Sequence, residues 1–130
     1  MSDQIVRPEV DSVLQLLTET TNTENYSVDM TLNVKGTLVT GTVISTIEYL
    51  TSLADEFSEE NEVEKNIYQK LTEAVASLEE EQEPEVNYVH MKDAKMFSES
   101  GKSLPSKGSV LWRGKLSDVD GFFLGKVTSE

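Results

Sequence analysis

Four apolar residues, Val28, Met30, Leu32 and Val34, alternate with Asp29, Thr31, Asn33 and Lys35. A period of two puts every second side chain on the same side, so this segment reads as a strand with one face turned inward. Gly36 interrupts the run, and residues 37–45 resume it with β-branched side chains around Gly41. The spacing predicts a hairpin over 28–45, both strands half buried, with a bend or bulge at Gly41 in the second.

The hydrophobic period is different on either side of this hairpin. Pro8 can open a helix, and Val10, Val13, Leu14 and Leu17 then share one face, which predicts an N-terminal helix over 8–18. Residues 19–27 are polar and rich in turn formers, and read as a linker. After the hairpin, Ile47, Leu50, Leu53, Ala54 and Phe57 mark a short helix, and Val63, Ile67, Leu71, Val75 and Leu78 a longer one. Together they predict a helical insert over 46–85. Like charges and Pro84 end it, so a flexible joint is expected near 79–86.

Residues 86–127 return to strands. Asn87–Phe97 reads as one, with Val89 and Met91 on one face and Tyr88 and His90 on the other. A loop punctuated by Gly101, Pro105 and Gly108 follows. Then come a strand ending in Trp112-Arg113-Gly114, a turn carrying Asp120-Gly121, and a last strand beginning at Phe122-Phe123. At 130 residues the chain is expected to be a single domain, 1–130, large enough for a real core. The fold class that results is α+β: a small, bent, five-stranded antiparallel sheet or barrel, with an N-terminal helix and a helical insert between strands 2 and 3.

Charge is segregated along this order. Net charge is −13, and residues 55–85 hold twelve acids against two lysines, whereas residues 86–130 hold seven bases against five acids. Such polarity suits a solvated helix face, or salt-sensitive attraction between copies. On the second view the candidate contacts are Glu59, Glu60, Glu79, Glu80 and Glu81 against Lys92, Lys95, Lys107 and Lys115, with Trp112 and Arg113 on the closing strands.

Several classes of chemistry find no support. The absence of cysteine removes thiolate catalysis, disulfides and Cys-type zinc sites. His90 is the only histidine, with no spacing that completes a ligand set or a hydrolytic triad. None of the glycines leads into a helix behind a phosphate-cradling Gly-Lys-Ser/Thr pattern. No enzyme, catalytic residue, metal or cofactor is therefore expected. The start of the chain has no basic, apolar leader and no window approaches a membrane span, so a cytosolic protein without membrane contact is expected, and the Asn25-Tyr26-Ser27 glycosylation pattern has no consequence. The acidic balance and the lack of a basic stripe also disfavour nucleic acid as a partner.

Two resemblances extend this reading. The order of strands, with Leu111-Trp112-Arg113-Gly114 closing the fourth, resembles the Sm-like small barrel and its hydrophobic-Arg-Gly signature. It departs from RNA-binding members in its acidic insert of roughly forty residues and in Lys115, which follows Gly114 where Asn is usual. Over nearly the whole chain, residues 31–45, 88–97 and above all 111–127 look like the gas vesicle accessory protein U family. That resemblance implies a non-enzymatic accessory protein of the bacterial cytoplasm, associated with the clustering of gas vesicles; together with the charge polarity it leads us to expect a protein that self-associates and contacts shell or other gas vesicle proteins. The alternatives are an Sm-like nucleic-acid-binding ring and an assembly chaperone for the shell protein.

Overall fold

The computed structural model describes residues 9–57, 60–81 and 85–127; Pro8, Glu59 and Pro84 lie outside them. The order of elements is α1 (Ser12–Glu24), β1 (Val28–Val34), β2 (Thr37–Ile44), α2 (Thr46–Ala54), α3 (Glu62–Glu80), β3 (Tyr88–Phe97), β4 (Ser103–Leu104), β5 (Val110–Lys115) and β6 (Val119–Leu124), with a 3-10 turn at Leu116–Asp118 between the last two. All pairings are antiparallel.

α1 begins where Asp11 caps it, its carboxylate accepting from the Val13 and Leu14 amides at 2.8 and 3.2 Å. It runs past the expected end at Thr18 to Glu24, six residues into the segment read as a linker. The reason is chemical. Thr18, Thr20, Thr21 and Thr23 each donate a hydroxyl to the carbonyl four residues back, at 2.8 to 3.0 Å. A threonine so satisfied can be buried by its methyl group, and Leu14, Thr18 and Thr21 make one stripe, fully buried. Val13, expected on the inner face, is instead 56% exposed. Asn25 ends the helix in the left-handed conformation.

The sheet follows the order β4-β3-β2-β1-β6, with β5 also on β3. β3 is long enough to hold both: β5 lies along Tyr88 to Ala94, and β4 pairs Met96 and Phe97. The two-residue β4 makes six strands where five were expected, within the segment read as a loop. Among the described residues no pairing joins β5 to β6, so the sheet is open. The bend expected at Gly41 is present. The β2–β3 register slips between Thr40 and Thr42, and a Cβ on Gly41 would sit 3.0 Å from the Ala94 Cα and the Lys92 carbonyl.

One expectation for the closing strands is overturned. Asp120-Gly121 is not the turn between them but lies inside β6, with Gly121 opposite Asn33. Asp120 serves the neighbouring hairpin instead: its carboxylate accepts from the Lys35 amide at 3.0 Å, holding the two-residue Lys35-Gly36 turn, whose residues both have positive φ. The turn from β5 into β6 is the 3-10 segment, and its Leu116 points into the core.

The core lies on one sheet face, where Met30, Leu32, Val39, Val43, Val89 and Met91 meet Leu14 of α1. The opposite face is covered too, which the half-buried reading did not include. Near Ile44 and His90 the cover is Tyr49 of α2. Over Thr31 and Thr40 it is the chain after β6. Val127 N donates to Thr40 Oγ1 at 2.9 Å, and Thr31 Oγ1 donates to the Gly125 carbonyl at 2.8 Å. The Thr31–Thr40 contact of 2.9 Å must then run from Thr40 to Thr31, giving a directed relay that straps the tail to the sheet. Thr40→Val should cost about 1–2 kcal/mol by leaving the Val127 amide without its acceptor. Faster hydrogen exchange at Val127 is the signature, and unchanged exchange there would rule the relay out as the strap.

α3 stands apart from this arrangement. Asn61 caps it, accepting from Val63 and Glu64 at 2.8 and 3.2 Å, but none of its residues is buried. Its half-buried stripe packs on α2. Asn22 ties the base of the insert to α1, accepting from the Thr46 amide at 2.9 Å.

Candidate interaction surface

The segment Trp112-Arg113-Gly114 shows why those three residues stand together. In β5 side chains alternate, so Trp112 and Gly114 share a face and Arg113 takes the other. The indole of Trp112 packs against the core and folds over Gly114. A Cβ at Gly114 would lie 2.7 Å from Trp112 Cζ2 and closer still to Cη2, so only glycine leaves room for the ring. On the opposite face the Arg113 guanidinium sits 4.1 Å above the centre of the Tyr88 ring, a cation–π contact. Trp112 is thus a half-buried packing residue, and Arg113 is an exposed cation braced on an aromatic.

Beside Arg113 in the register lies His90, 2% exposed, under α2. Its ring stacks at 41° on Tyr49, with centroids 4.6 Å apart, and Nδ1 is 3.4 Å from Thr46 Oγ1. Nε2 has no hydrogen-bond partner among the described residues. Burial, with the Arg113 charge second, lowers its pKa to about 4, so the imidazole is neutral at physiological pH.

The lysines form no single patch. Lys92 is committed to α2, with its ammonium 3.0 Å from Glu48, and that hydrogen bond and charge raise its pKa. Lys107 and Lys115 are exposed, in the loop before β5 and at the end of β5. Lys95, opposite Thr40, lines an open cleft of about 520 Å³ at the far end of β3, together with Lys126, Phe97, Asp93 and Ser109. Lys126 escaped the sequence reading because it reaches this place only when the tail folds back over Thr31 and Thr40. Its nearest acid is Asp29, at 3.8 Å and largely exposed.

The acids gather elsewhere. Glu79, Glu80 and Glu81 are exposed at the C-terminal end of α3, and Glu79, Glu81 and Glu85 rim a cavity of about 340 Å³ floored by Ile47, Leu78 and Val86. Glu60 is exposed at the other end of α3, just before its cap, and Glu59 lies outside the described residues. Among the described residues no three His, Cys, Asp or Glu side chains are placed to hold a metal ion, and no helix is long and apolar enough to cross a membrane.

The outer edges of β5 and β6 are unpaired among the described residues, and β6 exposes Phe123 at 50% and Leu124 at 61%. An edge strand with adjacent apolar side chains and one charged residue is a template for further pairing. What fold and surface define is an open-sheet α+β protein whose distinctive chemistry lies in its strand edges and in the separation of its charges.

Comparison with protein families matches residues 11–127 to the family described as "Gas vesicle protein GvpU-like". The match covers nearly the whole chain, and this chain belongs to that family. No curated protein and no solved structure matches it. The protein is accordingly related to gas vesicles.

Proposed function

We propose that this protein is a non-enzymatic accessory factor that self-associates in the cytoplasm and holds gas vesicles together in clusters. The observation that carries the reading is the outer edge of β6, unpaired among the described residues, where the strand presents Phe123 and Leu124 to solvent. Exposed apolar side chains on a strand whose backbone donors and acceptors are also open favour addition of another strand. Family membership supplies the gas vesicle as the setting. An Sm-like arrangement fits this proposal: α1 leads into the order β5-β3-β2-β1-β6, and Arg113-Gly114 closes β5.

The test replaces Phe123 and Leu124 with Lys, which leaves the core side chains Met30 and Leu32 untouched. Purified wild-type protein should show concentration-dependent mass in light scattering, and the variant should associate more weakly and leave vesicles dispersed in cells. A wild type that is monomeric at all concentrations would sink the proposal. So would micromolar binding of oligo-U or oligo-A at physiological salt, or a deletion strain that forms no vesicles, which are the outcomes expected of a nucleic-acid ring and of a shell chaperone.

A further inference from the structure

The Lys95–Lys126 cleft and the acidic end of α3 lie at opposite ends of one strand. Val86, beside the glutamates, and Lys95, in the cleft, are nine residues apart along a segment that is strand from Tyr88 onward. At ~3.3 Å per residue this separates them by about 30 Å before the bend at the bulge. One copy cannot bring its own glutamates into its own cleft.

We infer that the cleft receives the acidic end of α3, Glu79 to Glu81 with Glu85, from a second copy, so that copies join head to tail. Chemistry on each side favours the pairing. Glu79, Glu80 and Glu81 end a helix whose last turn has no basic residue, so their carboxylates stand against the negative end of the helix dipole and gain from an external cation. The cleft is lined by two lysines, Lys95 and Lys126, with Phe97 beside them. Among its described lining residues Asp93 is the one acid and is outnumbered, Lys126 pairs with Asp29 only at 3.8 Å and on an exposed face, and exposed Lys107 lies next in sequence to Gly108 of the wall. Lys92, which faces Glu48, is not part of it.

The contact joins two different patches; where one copy fills its neighbour's cleft without a reciprocal exchange, the assembly keeps a cleft at one end and an acidic end at the other, and association can continue into chains long enough to bridge separate surfaces. The inference rests on the proposed self-association and adds its polarity and its contact groups.

A charge swap tests it on the full-length protein. Variant one carries Lys95→Glu and Lys126→Glu; variant two carries Glu79→Lys, Glu81→Lys and Glu85→Lys. Each alone should associate at least about tenfold more weakly than wild type, because like charges then meet. Mixed one to one they should recover association, since each acidic end finds a basic cleft and each basic end an acidic one. Recovery should fade as salt rises from 0.05 to 0.5 M. Because Lys126→Glu also faces Asp29, Lys95→Glu with Lys107→Glu is the second form of variant one, with the same expectation. Variants that associate like wild type, or a mixture that does not recover, overturn the head-to-tail contact while leaving self-association standing. A wild type that never associates removes both. An oligonucleotide that binds wild type at physiological salt, but not Lys95→Glu, would assign the cleft to nucleic acid and overturn the inference.

Discussion

Between pH 6.5 and about 4 the protein is expected to lose about 3 kcal/mol of stability through His90 alone, and His90→Phe should not share that loss. The folded imidazole takes up its proton only near pH 4, because burial under Tyr49 and the charge of Arg113 oppose a second positive charge. The unfolded chain takes it up near the ordinary value of 6.5. Within that window the unfolded state holds more protons, so acidification favours unfolding. Above 6.5 the group contributes no pH dependence, and below about 4 the loss is complete. Phenylalanine keeps a ring against Tyr49 and removes Nε2, which has no partner. Urea titrations of both proteins at pH 7 and pH 4 isolate the effect from the many carboxylates, since only the difference of differences belongs to His90. Equal losses in the two proteins would mean that the histidine is not held neutral.

Gly114→Ala should destabilise the protein by about 1–3 kcal/mol, the usual cost of overpacking. Gly114 does not have a positive φ, so alanine is compatible with the backbone and would by itself stabilise by roughly 0.4–1 kcal/mol through the unfolded chain. A net loss therefore reports the collision with the Trp112 indole. The ring must swing off the core, and the emission of the only tryptophan should shift to the red. Trp112→Ala supplies the control: in its background the added methyl has nothing to meet, and Gly114→Ala should cost nothing further. Additive losses in the double variant would place the indole elsewhere.

How much of this was legible beforehand depends on how local the cause is. The alternation at Val28–Val34 and the 3.6-residue spacing at Val63–Leu78 point to strand and helix where β1 and α3 are found, since each pattern reports one shared face; in α3 that face is half buried from Ile67 to Leu78, while Val63 is 67% exposed. The apolar spacing of α1 stops at Leu17 because threonine counts as polar in such a period, yet the helix continues to Glu24. A hydroxyl returned to its own helix makes threonine an acceptable core residue, and nothing in the composition of 19–24 announces it. Asp120-Gly121 misled for the opposite reason. The pair has turn chemistry, yet its aspartate serves a different turn, Lys35-Gly36, eighty-five residues earlier.

The candidate contacts divide in the same way. Trp112 as a packing residue and Arg113 on the opposite face follow from alternation. That Lys92 is occupied by Glu48, that Lys126 joins Lys95, and that His90 is buried without a partner for Nε2 all depend on segments far apart in sequence. Local sequence is enough for the class of β1, β2, α2, α3 and β3, for the bulge at Gly41 and for the separation of acidic from basic segments, since each is written in neighbouring residues. Only the tertiary structure settles which strand edges stay open and which carboxylates the lysines meet, Glu48 for Lys92 and Asp29 for Lys126. Pairing order and the return of the tail over Thr31 and Thr40 are set by contacts between distant parts of the chain, and no local period encodes them.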